Sequence, residues 1–173
     1  PAMQPLQERE PCCYTLVFVP GILGECVGHI ATPFSDSYQR LTDQGHRIYV
    51  VPVEGRASSE RNARIISDYL ASPERQLGKV VLIGYSKGVS DTLEALTLDQ
   101  DAAWLKKVVA LVSVAGVVAG TPAADTFAGL YAAFFSRLPW PTCAPGDGGG
   151  LGSLRRQVRA DFLARNKLPE RIK

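Results

Sequence analysis

Residues 80–88, Val80-Val-Leu-Ile-Gly-Tyr-Ser-Lys-Gly88, constrain this chain more than any other stretch. A run of buried-strand residues stops at a Gly-x-Ser-x-Gly turn. A helix-like pattern follows at once, marked by Val89, Leu93 and Leu96. A serine hydroxyl becomes a useful nucleophile only when it is held clear of the backbone where a base can reach it. A sharp strand-to-helix turn does this, provided small residues lie two before and two after the serine. Gly84 and Gly88 fill those places around Ser86. Ser86 would also sit at a helix N-terminus, where free N–H groups favour developing negative charge.

A second signal lies upstream. Tyr14-Thr-Leu-Val-Phe-Val-Pro-Gly-Ile-Leu-Gly24 reads as another buried strand that ends in a tight Pro-Gly loop. Acyl transfer needs two backbone N–H donors for its oxyanion. Lys87, next to the serine, is placed for one, and Ile22, just past Gly21, for the other. With these pieces the chain resembles the α/β-hydrolase superfamily, in particular its lipase and esterase-like members. The matching segments are Pro20-Gly-Ile-Leu-Gly24, Gly84-Tyr-Ser-Lys-Gly88 and Gly120-Thr-Pro-Ala-Ala-Asp125, and they cover about residues 14–135. The resemblance implies an α/β three-layer sandwich with a mainly parallel sheet. It also implies hydrolysis of a carboxylic ester through an acyl-enzyme on Ser86, with an ester or lipid-like substrate and neither metal nor organic cofactor.

The order of elements agrees. Strands are expected at residues 14–19, 47–53, 79–83 and 107–115, and helices within 33–43, after Ser58 or Ser59, after Ser86 and over 154–166. The helix after Ser58 carries Ala63, Ile66, Tyr69 and Leu70 on one face. Strands that read as continuous apolar runs and alternate with helices imply a parallel sheet covered on both faces. Residues 1–13 read as a loose arm, 14–125 as the hydrolase core, and 126–173 as a possible lid or cap followed by a C-terminal helix. Residues 126–140 suit equally a cap over an acyl pocket and a core helix leading to a surface loop. Residues 168–173 introduce a further strand that does not arrive.

Composition narrows the partners. At 173 residues the chain is sized for one domain, and its formal charge of +2 gives no reason to expect nucleic acid. Residues 155–159, Arg-Arg-Gln-Val-Arg, read as a solvated helix face. The apolar run 108–119 is too short to span a bilayer. No signal-peptide pattern opens the chain, yet Pro1 is not an initiator Met, so localisation stays open. Cys12, Cys13, Cys26 and Cys143 show no metal-ligand spacing and are expected to be free thiols. Gly146-Asp-Gly-Gly-Gly-Leu-Gly152 lacks the strand and lysine of a phosphate-binding loop.

The triad is where the pattern stops. A serine hydrolase needs a histidine base oriented by a carboxylate, and in this superfamily both follow the serine. The chain's two histidines, His29 and His46, both precede Ser86. His29, after the loop 20–24, is the better outside candidate for the base, and Asp125 the weak candidate for the acid, with a turn or helix cap as its plainer role. Asp91 is expected to support the helix start. The Lys87 ammonium either attracts an anionic substrate or is simply solvated. The expectation is a nucleophile and oxyanion half, with the rest supplied by a missing C-terminal segment or a second chain. The alternatives are a non-catalytic binding or scaffold module and an acyltransferase.

Overall fold

The computed structural model describes residues 14–24, 35–134, 143–144 and 146–173. The expected N-terminal arm, His29, Cys12, Cys13, Cys26 and residues 135–142 of the expected cap lie outside the described residues. Four strands, β1 (Tyr14–Val19), β2 (Arg47–Val50), β3 (Lys79–Tyr85) and β4 (Val108–Val114), form one parallel sheet in the order β2-β1-β3-β4. The helices are α1 (Ser35–Asp43), α2 (Ser59–Ala71), α3 (Lys87–Leu98), α4 (Pro122–Ala133) and α5 (Arg156–Arg165).

Each strand except the last is followed by a helix that returns the chain to the sheet's other end, as parallel pairing requires. Ser58 caps α2 by accepting from the Arg61 N–H, and Ile66 and Leu70 on that helix are buried. One face of β1 sends Val17 and Val19 into a core with Ile66 and Leu70 of α2, Leu96 of α3, and Val80 and Leu82 of β3. On the other face the Phe18 ring meets Tyr38 of α1 edge-on, with centroids 4.8 Å apart. The sheet is therefore a middle layer between helices, as expected from its apolar runs.

Several boundaries differ from the sequence reading: β3 runs on to Tyr85 rather than ending at Ile83, and β4 spans Val108–Val114 rather than 107–115. β2 stops at Val50 rather than running to Val53, because the chain curls there and the Val53 N–H donates back to the Val51 carbonyl. The expected helix 154–166 is broken at Arg155, which has extended backbone between a short 3-10 turn and α5. Cover also thins towards β4, where Val112 is 44% exposed.

The strand order carries functional weight. The chain moves from β1 outward to β2, then crosses back to place β3 on the opposite side of β1. The carboxyl ends of β1 and β3 thus meet at this switch point, the place where open α/β sheets bind their ligands.

Candidate active site

Ser86 follows β3 directly and precedes α3, with φ 52° and ψ −119°. An L-residue in that conformation costs on the order of 1–3 kcal/mol, so its surroundings must impose it. The backbone supplies the constraint. The Ser86 N–H donates to the Val114 carbonyl at 2.9 Å, and the Ser86 carbonyl accepts from Val89 and Val117, each at 3.2 Å. Among the described residues, the non-glycine residues with positive φ are Leu23, Ser86 and Ala115. They lie after β1, β3 and β4, at one end of the sheet.

The loop after β1 sits on this turn. Val19 is in register with Gly84, so the two chains leave the sheet side by side. A Cβ on Gly21 would lie 3.0 Å from the Ser86 Cβ. A Cβ on Gly88 would lie 2.2 Å from the Val19 carbonyl oxygen, and one on Gly84 would lie 2.9 Å from Val89. Glycine at 88 is therefore what lets α3 start against the end of β1. Lys87 is the first residue of α3, so its N–H has no intrahelical acceptor. Among the described residues, the Ile22 and Lys87 N–H groups meet no backbone acceptor.

The Lys87 side chain corrects both sequence readings. It is fully buried, and its Nζ donates to both carboxylate oxygens of Asp91, at 2.6 and 2.8 Å. It is neither solvated nor turned towards a substrate. Asp91, 1% exposed, also accepts from Asn62 Nδ2 of α2 at 2.8 Å. Burial pushes the Asp91 carboxyl up, and Lys87 pulls it back towards the charged form. Asp91 thus serves as counterion to a buried ammonium rather than as a simple partner of the helix dipole.

The other candidates are spread more widely. His46 lies at the start of β2 and accepts from the Tyr14 N–H at 3.3 Å. Tyr14 pairs with Lys79, seven residues before Ser86, which puts His46 about 20 Å of strand away from the serine. Asp125 is taken up by α5: Oδ1 accepts from the Arg156 N–H at 3.0 Å and Oδ2 from Arg156 Nε at 2.5 Å. Those bonds hold its carboxyl below the usual range and match the plainer, capping role. Asp147 anchors the glycine-rich loop by accepting from the Ser58 N–H at 2.7 Å.

Sequence reasoning missed two further groups. Arg159, read as part of a solvated face, is fully buried and donates to Glu94 at 2.7 Å and to the Val118 carbonyl at 3.1 Å. Its pairing with Glu94 spans 65 residues, and Asn62 reaches Asp91 across 29; no local pattern could reveal either. Cys143 is disulfide-bonded, which corrects the free-thiol expectation for that residue.

The comparison that decides the fold is with the crystal structure of the metagenomic carboxyl esterase MGS0156. It superposes with a TM-score of 0.84 at 39% identity and covers 92% of this chain. The fold is that of the α/β-hydrolases, lipase and esterase type. A second α/β-hydrolase neighbour, the mature Bacillus licheniformis lipase BlEst2, has a TM-score of 0.67 at 19% identity over 97% of the chain. An extracellular α/β-hydrolase from a Paenibacillus species gives 0.53 at 15% identity over 74%. The chain spans 48% of the length of the metagenomic esterase and 65% of that of the Bacillus lipase. No protein-family model matches the chain, and neither does any curated protein. Among the described residues, no helix is long and apolar enough to cross a membrane.

Proposed function

We propose that this chain is the nucleophile-bearing part of a serine carboxylic-ester hydrolase. The observation that carries the reading is Ser86, held at φ 52° between β3 and α3 with the loop after β1 packed against it. The 39% identity to a carboxyl esterase supports the ester as substrate class. Ser86 Oγ attacks the ester carbonyl, and the resulting oxyanion accepts hydrogen bonds from the Ile22 and Lys87 N–H groups. A histidine takes the Ser86 proton and delivers it to the departing alcohol. Water then releases the acid from the acyl-enzyme. This chemistry calls for no metal or organic cofactor.

The base and the acid are supplied, on this reading, by polypeptide beyond these residues. Two observations support that. His46 is at the wrong end of the sheet, and the edge of β4 carries no further strand among the described residues, only the bonds of residue 173. The Lys173 N–H donates to the Val109 carbonyl at 3.2 Å, and its carbonyl accepts from the Leu111 N–H at 2.9 Å. That is the bonding pattern of a single parallel bridge to β4, beside a sheet that has four strands among the described residues.

A fluorophosphonate probe and 4-nitrophenyl butyrate test the proposal on the chain as it stands, on Ser86→Ala, on His29→Ala and on a form extended past Lys173. We expect turnover in the extended form alone, abolished by Ser86→Ala. Turnover in the 173-residue chain that His29→Ala abolishes would make His29 the base. No labelling in any form would favour the scaffold reading, and an ester formed from added alcohol would favour the acyltransferase.

A further inference from the structure

Asn62 stands between the two loops that carry the proposed oxyanion donors. It lies in α2, is fully buried, and is not adjacent to either loop in sequence. Its Oδ1 accepts from the Glu54 N–H at 3.0 Å, and its Nδ2 donates to the Glu54 carbonyl at 3.1 Å. One amide thus satisfies both backbone groups of the residue before Gly55. The Gly55 carbonyl in turn accepts from the Leu23 N–H at 3.3 Å, one residue past Ile22. There is no room for anything but glycine there, since a Cβ on Gly55 would lie 2.5 Å from the Leu23 nitrogen.

The same Nδ2 donates at 2.8 Å to Asp91, which holds the Lys87 ammonium. A path of half-buried and buried hydrogen bonds, joined through the Glu54–Gly55 peptide, therefore runs from Leu23 through Asn62 and Asp91 to Lys87.

We propose that Asn62 is a positioning residue that ties the loop after β1 to the turn after β3 and so fixes the separation of the Ile22 and Lys87 N–H groups. The proposal rests on the oxyanion reading for its purpose, but the tie itself is a property of the fold. A buried ion pair such as Lys87–Asp91 adds little stability over an apolar pair of the same size, since desolvation offsets the attraction. Its charges are matched by hydrogen bonds in fixed directions, which an apolar contact lacks. Directional bonds on both sides of one amide are what holding two backbone segments at a set distance requires.

Amide hydrogen exchange on the intact 173-residue chain tests this without turnover. In Asn62→Ala we expect the Leu23 and Ser86 amides to exchange roughly tenfold faster while the β-strand amides of Val17 and Leu82 keep their native rates. If Asn62→Ala does not fold, Asn62→Ser is read in the same way. Lys87→Met combined with Asp91→Leu cuts the path on one side only, so Ser86 should loosen and Leu23 should not. Equal acceleration at Val17 and Leu82, no change at either loop, or failure of both Asn62 variants to fold would make Asn62 an ordinary core support and overturn the tie. The functional reading fails separately, through an unlabelled Ser86, and leaves these exchange rates untouched.

Discussion

A methyl group at residue 88 would sit 2.2 Å from the Val19 carbonyl oxygen, and backbone on both sides prevents relief. Gly88→Ala should therefore destabilise the protein by about 3 kcal/mol, the upper end for overpacking. At Gly129, exposed in α4, nothing lies within 4 Å of the added carbon, so Gly129→Ala should stabilise by roughly 0.5–1 kcal/mol through helix propensity. Urea unfolding of the two variants checks both signs. Ser86 offers a sharper contrast. Its φ of 52° suits glycine, so Ser86→Gly should be about 1 kcal/mol more stable than Ser86→Ala, although neither can act as nucleophile. Equal stabilities would mean that the turn is not strained. The glycine spacing around Ser86 was legible because the constraint is local. The Lys87–Asp91 pair shows as an i, i+4 spacing, but that it is buried and also bonded by Asn62 from another helix is not shown by spacing alone.

Glu94 shows what a whole element can conceal. Helix α5 was readable as a helix, yet its Arg159 turns inward and holds α5 against α3 through Glu94. Burial pushes the Glu94 carboxyl up to about 7 from 4.5, more than the attraction of Arg159 lowers it. A carboxyl raised in the folded state takes up its proton before the unfolded chain does, so stability falls as pH rises from 4.5 to about 7. The loss from this group is at most about 3 kcal/mol and is complete above that window. Denaturant unfolding at pH 5 and pH 8 should show a smaller fall for Glu94→Gln than for the native chain. An identical fall in both would remove Glu94 from the account. The four strands were legible because parallel strands buried on both faces read as apolar runs; the end of β2 was overrun, where a backbone curl replaces pairing, and that of β3 was set two residues short.

At the scale of the whole molecule the sheet is unevenly finished. The core gathers on β1 and β3, whereas Val112 of β4 and Phe127 and Leu130 of α4 are at least 44% exposed. Residues 168–173 read as the approach to another strand; in the structure Lys173 bonds Val109 and Leu111 of β4, and none of 168–173 is itself in a strand. The parallel sheet covered on both faces followed from the pattern of elements. The base did not, because neither histidine in the sequence has a position that pattern can connect to Ser86. The central claim is that Ser86 is the nucleophile, and mass spectrometry of the fluorophosphonate-treated protein tests it most directly. In a form extended past Lys173 the account predicts a single adduct, on the peptide containing Ser86, absent from Ser86→Ala. It also predicts at least ~1000-fold slower labelling of the 173-residue chain, as loss of a triad member entails. An adduct on another residue, or ester turnover that survives Ser86→Ala, would contradict it.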